Sequence, residues 1–320
     1  MAWLPCHPMG WLRSAVITLL IVAPPLAGMP DRAAAEPAGH RFPPPCVTGS
    51  PACVQETVTT MRNRLRPLAD YCDHRAVFSL AYLRTTEAFR DTASQLGSFA
   101  DPEWVNAEDA LFAAYYFRAF DRFQASGQWS ADRPADVPPA WRVAFSAAAT
   151  TTLSAAGDLL LGMNAHITRD LPFVLAELGL VGPGGRSHKG DHDRINAILA
   201  SVLDPLLAEE AARFDPHLDD ETNDYGLGRD DLLGMLVAWR ERAWQDAERL
   251  VAASGTEEYA VVARAIESSA EARARLLWVL LADEQPAATP MSRDVWCARH
   301  RVSSAASEAA ATPVYPAAGS

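Results

Sequence analysis

From Val54 to Asp283 apolar residues recur at helical spacing almost without interruption, and no segment alternates like a half-buried strand for more than a few residues. That pattern commits the chain to an all-α fold, in which each helix buries its apolar stripe against its neighbours. Proline and glycine divide the run. A first helix is expected from about Val54 to Ala69 and a second from about Tyr71 to Leu96, ended by Gly97 and Asp101-Pro102. Pro102 suits the first position of a third helix, which carries Trp104, Leu111, Phe112, Tyr115, Tyr116, Phe120 and Phe123 to Gly127; this aromatic ladder reads as core. A fourth opens at Pro139 and runs to about Gly179, kinked at Pro172. The fifth covers about Asp191 to Arg213, the sixth Asp230 to Ala253 and the seventh Glu257 to Asp283. The expectation is a single-domain bundle of about seven helices over residues 54–285.

The flanks differ in kind. Met1 to Ala35 reads as a secretory signal: Arg13 precedes the apolar run AVITLLIVA, and Ala33-Ala34-Ala35 offers small residues for cleavage. Residues 36–53 read as an extended, proline-rich lead-in and 286–320 as a largely disordered Ala/Ser/Pro tail, Trp296-Cys297 excepted. The mature chain is expected outside the cytoplasm, with no stable membrane span. Its cysteines fit an oxidising compartment, with Cys46–Cys53 and Cys72–Cys297 the preferred pairs of the three pairings open to four cysteines. A formal net charge of −12 and the lack of a basic cluster argue against a nucleic-acid partner.

The polar residues set into helix four and the start of helix five are the candidate site. A buried polar group without a partner costs roughly 1–3 kcal/mol, so each of these should be engaged. On a helical wheel Asp170 falls inside the apolar arc of helix four with His166 four residues before it at the edge; Asn164 borders the other edge, and Asp158 and Arg169 face outward. Arg240 sits near the middle of the apolar stripe of helix six, where a guanidinium needs a mate, and Asp170 is the expected one. In DHDRIN, Asp191 or Asp193 can cap the fifth helix, while His192 and Asn196 skirt its apolar face.

Two functional readings follow. In the first the protein is an exported hydrolase using a metal-bound water: His166, Asp170, Asp193 and His192 would hold zinc, iron or manganese, Asp193 could also be the general base, Asn196 an orienter and Arg240 an anion clamp. In the second the same groups form a closed Arg-Asp-His-Asn network in a non-catalytic module whose helical groove takes a small-molecule or apolar ligand. No GxSxG elbow supports a nucleophilic serine.

At GMNAHITRDLP, DHDRIN and WRERAW, with YLRTTEAF, DPEWVNAEDALFAAYYFRAF and PPAWRVAF around them, the chain resembles an uncharacterised bacterial all-helical family, a domain of unknown function, over about Tyr71 to Leu250. The resemblance implies that Asn164, His166, Asp170, Asp193, Asn196, Arg240 and Trp244 are signature positions and implies no activity; separately, Asn164 and Trp244 are the residues expected to bind a ligand.

Overall fold

A computed structural model describes residues 49–125, 136–219, 228–282 and 292–300. The expected signal segment, most of the lead-in, Cys46 and much of the acidic loop after Phe214 lie outside those residues. The described chain is helical: α1 Pro51–Asp70, α2 Ala76–Ala93, α3 Pro102–Ala125, α4 Pro139–Thr150, α5 Ala155–Met163, a π-helical segment Asn164–Asp170, α6 Leu171–Leu178, α7 Lys189–Arg213, α8 Arg229–Ala252, α9 Glu257–Leu281 and α10 Arg293–His300. Among the described residues there is no strand, only isolated bridges between Leu153 and Ala282 and between Val181 and Ser187. No helix among them is long and apolar enough to cross a membrane.

The expected fourth helix is in fact four segments. Thr151 ends α4 in the left-handed region (φ 50°), where a β-branched residue is strained, and Ser154 restarts the chain by capping α5 through Gly157 N. The kink foreseen at Pro172 is taken up by the π segment just before it. Pro172 has no N–H to donate, and the wider turn closes on a different carbonyl, Leu171 N bonding His166 O.

The π segment is the hub. α4, α5, α6, α8 and α9 all pack on it, while α1 lies along α2 and α3, α2 against α7, and α6 against α8. One continuous core fills the space between, with Trp141, Leu161, Leu171 and Leu175 fully buried beside the hub. Gly162 permits a close approach: a Cβ there would stand 2.5 Å from the Phe78 ring, so only glycine lets Phe78 of α2 lie against α5.

The C-terminal segment is ordered further than the sequence suggests. α10 is joined to the α1–α2 turn by a Cys72–Cys297 disulfide, Cα–Cα 5.9 Å across a separation of 225 residues. Asp158, expected on the outer face, is instead buried and receives Arg293 Nη1 at 2.6 Å. His74 stands between two carboxylates, Nε2 2.8 Å from Asp294 Oδ1 and Nδ1 3.1 Å from Asp158 Oδ2, the second close enough to pair but poorly aligned as a hydrogen bond. Trp296 Nε1 donates to Ala211 O. These contacts form a clamp over α7.

Candidate ligand cavity

His166 is the residue the hub presents most purposefully. Its Nδ1 lies 3.2 Å from Asp170 Oδ2, which also accepts from Trp141 Nε1 at 2.8 Å, while Asp170 Oδ1 accepts from Arg169 Nη1 at 3.0 Å. Assigned from that partner, the proton sits on Nδ1 and Nε2 is left as an acceptor. Phe112 stacks on the ring (centroids 3.4 Å) and Tyr82 meets it edge-on at 4.4 Å. Burial pushes this imidazole below its ordinary value, and the hydrogen bond and charge of Asp170 offset that only in part, so the ring is neutral at neutral pH.

His166 lies on the wall of an apolar cavity of about 130 Å³. Helical periodicity builds its walls. α2 contributes Phe78, Tyr82, Thr86 and Phe89; α3 contributes Val105, Glu108, Asp109 and Phe112; α5 and the π segment add Leu159, Met163 and His166; α7 and α8 close it with Ile195, Val202, Leu206, Leu236 and Arg240. Five of the residues on this wall each have one buried side-chain atom without a hydrogen-bond partner, set behind the lining rather than open to it: Tyr82 Oη, Thr86 Oγ1, Glu108 Oε2, Asp109 Oδ2 and His166 Nε2. Asp109 keeps some exposure as a residue, yet its Oδ2 has none. Burial, with the Glu108 charge beside it, drives the Asp109 carboxyl well above the usual carboxylate range; the Thr86 hydroxyl opposes this through a contact too poorly aligned to be a formed hydrogen bond. Burial thus favours the protonated form of Asp109. Burial likewise keeps the Tyr82 phenol protonated, with the Asp170 and Glu108 charges adding to it.

The polar residues expected in one network separate into distinct groups. Arg240 does not pair with Asp170. Its Nε donates to Asn196 Oδ1 (2.9 Å) and its Nη2 to His192 O (2.7 Å), 3.2 Å from His192 Nδ1. The arginine reaches the cavity from α8 whereas Asp170 is turned towards α4, where Trp141 and Arg169 already occupy it. Burial lowers the pKa of both Arg240 and His192, and the Arg240 charge lowers His192 further; Glu108 opposes the shift in each, its Oε1 3.6 Å from His192 Nδ1. Arg169, expected to face out, is inside and pairs with Glu267 as well as Asp170.

Other candidates have local work. Asn164 is fully buried, donating through Nδ2 to Ala270 O of α9 and accepting at Oδ1 from Thr168. Trp244 donates to Glu248 and sets its ring 5.2 Å from His192. Asp193 is exposed and paired with Lys189. Asp191 does not cap its own helix but accepts from Ala100 N and Asp101 N, closing the entry to α3. Among the described residues no group of three or more His, Cys, Asp or Glu is arranged to hold a metal ion.

Tyr82, Thr86, Glu108 and Asp109 were not singled out by the sequence reading. A signal was there: Val105, Glu108, Asp109 and Phe112 share one helical face, and two acids on a face otherwise apolar are as costly as Arg240 in its stripe.

Comparison with curated proteins finds no match, and comparison with solved structures finds none. A family model does match, over residues 54–280, the span that runs from the start of α1 to the end of α9 and contains every cavity residue named above. The chain belongs to DUF5995, a family of unknown function.

Proposed function

We propose that the protein binds a small, largely apolar molecule with a neutral hydrogen-bonding head group in the cavity between α2, α3, α5, α7 and α8. The observation that carries this reading is the apolar cavity itself, whose wall includes five residues that each keep an unsatisfied polar atom close behind it. Each costs about 1–3 kcal/mol while unpaired, a heavy burden in a fold whose net stability is of order 5–15 kcal/mol. An occupant to which those side chains can turn recovers that cost. The cavity, about 130 Å³, is close to the roughly 150 Å³ engineered void that takes up benzene. A neutral head group fits because burial favours the uncharged forms of His166, Asp109 and Tyr82, and Glu108 lies in the field of Arg240.

The metal-dependent hydrolase reading has less support. His166 and Asp170 are bonded to each other, and Asp193 to Lys189. Binding is tested by organic extraction and mass spectrometry of the purified protein, beside an Ala81→Leu variant that fills the cavity; Ala81 is buried on its wall. A molecule retained by the native chain and lost from the variant is the expected result. A native protein that carries nothing, and whose melting temperature no small alcohol, ketone or phenol raises, would sink the proposal.

A further inference from the structure

The cavity is long for its volume. α7 and α8 lie side by side and antiparallel, tied at one end by Lys189 and Glu241 (2.8 Å) and at the other by Asp204 and Arg229 (3.1 Å). α2 runs along α7 in the same way, with Arg84 bound to Glu209 and the chain beyond α2 bound, through Ala100 N and Asp101 N, to Asp191. The lining reaches from Phe78 to Phe89 on α2 and from Ile195 to Leu206 on α7, about 16 Å along each at 1.5 Å per residue. A void of about 130 Å³ drawn out over that length is a narrow passage and not a round chamber. One end of it is walled by Phe78, Leu203, Leu206 and Leu232.

The other end carries two opposite charges that do not meet. Arg240 bonds to Asn196 through Nε and to His192 O through Nη2, and its Nη1 makes no hydrogen bond. Glu108 Oε1 makes none either; it lies 3.6 Å from His192 Nδ1, and that nitrogen is 3.2 Å from Arg240 Nη2. The carboxylate and the guanidinium therefore flank one imidazole nitrogen, both on the cavity wall, with no ion pair between them. Both residues are more than nine-tenths buried, yet Nη1 and Oε1 are not sealed as Glu108 Oε2 is.

Resting on the binding reading above, we infer that the ligand is an unbranched aliphatic chain ending in a carboxamide or a hydroxyl. The head group accepts a hydrogen bond from Arg240 Nη1 and donates one to Glu108 Oε1, and the chain lies between α2 and α7 towards Leu206. A carboxylate head would satisfy Arg240 and be repelled by Glu108; an ammonium head would do the reverse. A group that both donates and accepts, with no charge of its own, serves the two together. The bore selects the chain, since a ring of the same volume needs the rounder void that takes up benzene.

The probes share one chain and differ at its end: hexanamide, 1-hexanol, hexanoate and hexylammonium, with cyclohexanecarboxamide as the ring of matched head group. Each is titrated into the native protein at neutral pH by calorimetry and by melting temperature. The tighter of hexanamide and 1-hexanol should bind at least about 10-fold better than either ion or the ring. Glu108→Gln removes the negative charge at nearly constant shape, and hexanoate should gain at least about 10-fold while hexanamide changes less. Ala81→Leu should abolish binding of every probe. If Glu108→Gln fails to fold, the series on the native protein decides alone. An ion or the ring bound as tightly as the neutral chains would overturn this inference and leave the binding reading intact. A hexanoate affinity unmoved by Glu108→Gln would overturn it too. A native protein that binds none of the probes would also overturn it, with the extraction experiment then deciding the reading beneath.

Discussion

Two of the places where the fold buries polar groups treat them differently. In the clamp, Arg293, Asp158, His74 and Asp294 meet one another within about hydrogen-bonding distance, and a disulfide closes the region beside them. In the cavity, Tyr82 Oη, Thr86 Oγ1, Glu108 Oε2, Asp109 Oδ2 and His166 Nε2 make no hydrogen bond. The first arrangement spends polarity on holding the chain together. The second leaves five atoms unpaired around one cavity, where the clamp leaves two, His74 Nδ1 and Asp158 Oδ1, each on a group whose other polar atom is bonded. The comparison teaches that burial alone says little about role. What separates architecture from a site is whether the buried atoms find each other.

The contrast breaks first at the clamp. Asp158→Ala strands the buried Arg293 guanidinium and should cost about 3–5 kcal/mol in denaturant unfolding; a loss under 1 kcal/mol would mean that the clamp is ornamental. Cys72→Ser, which opens a loop of 225 residues, should cost about 2–5 kcal/mol, and reductant should lower the melting temperature of the native chain more than that of the variant. In the cavity the sign turns. Thr86→Val removes an unpartnered hydroxyl at nearly constant shape and should leave stability unchanged or raise it by about 1 kcal/mol. A marked loss would show that the hydroxyl is satisfied and the wall less open than drawn.

The smallest effect is a difference of pH slopes. Burial and the Arg293 charge both depress His74, but its bonds to Asp158 and Asp294 outweigh them and its pKa is raised. Its contribution is therefore complete below the unfolded value near 6.5 and is lost as pH rises through the higher folded value. His166 is lowered by burial, so its contribution is present above about 6.5 and lost as pH falls towards the folded value. Between pH 5 and 8, His74→Gln should cost most at the acid end, whereas His166→Gln should soften the acid-side fall in melting temperature. Parallel curves for the two variants would remove the distinction between the regions.

Much of this architecture is written in simple periodicities. The all-helical class, the boundaries of α3, α7, α8 and α9 to within a few residues, and the Cys72–Cys297 pair follow from apolar spacing, prolines and cysteine placement. The inward turn of His166 and Asp170 follows from the wheel, and so does the buried Arg240. Its partner does not, because a wheel ranks directions within one helix and is silent on which helix lies opposite; Asn196 and His192 of α7 took the place assigned to Asp170. Asp158 and Arg169 were misplaced for a related reason. α10 and Glu267 of α9 cover a face that looks exposed when one helix is viewed alone. Asp109 escaped notice because adjacent acids on a long helix usually meet solvent, and only the folded packing shows that this one does not.

The π segment can be thought of as a phase error that the chain keeps. Seven residues from Asn164 to Asp170 are wound more loosely than the helices on either side, so α5 and α6 are not two stretches of one wheel. Deleting a single residue there would bring them into step, and would turn everything beyond it by about 100° relative to α5. Asp170 would then leave Trp141, and His166 would lose the carboxylate that fixes its tautomer. A one-residue deletion between Asn164 and Asp170 should thus be tolerated far worse than one in the Gly182–Arg186 turn, although both shorten the chain equally.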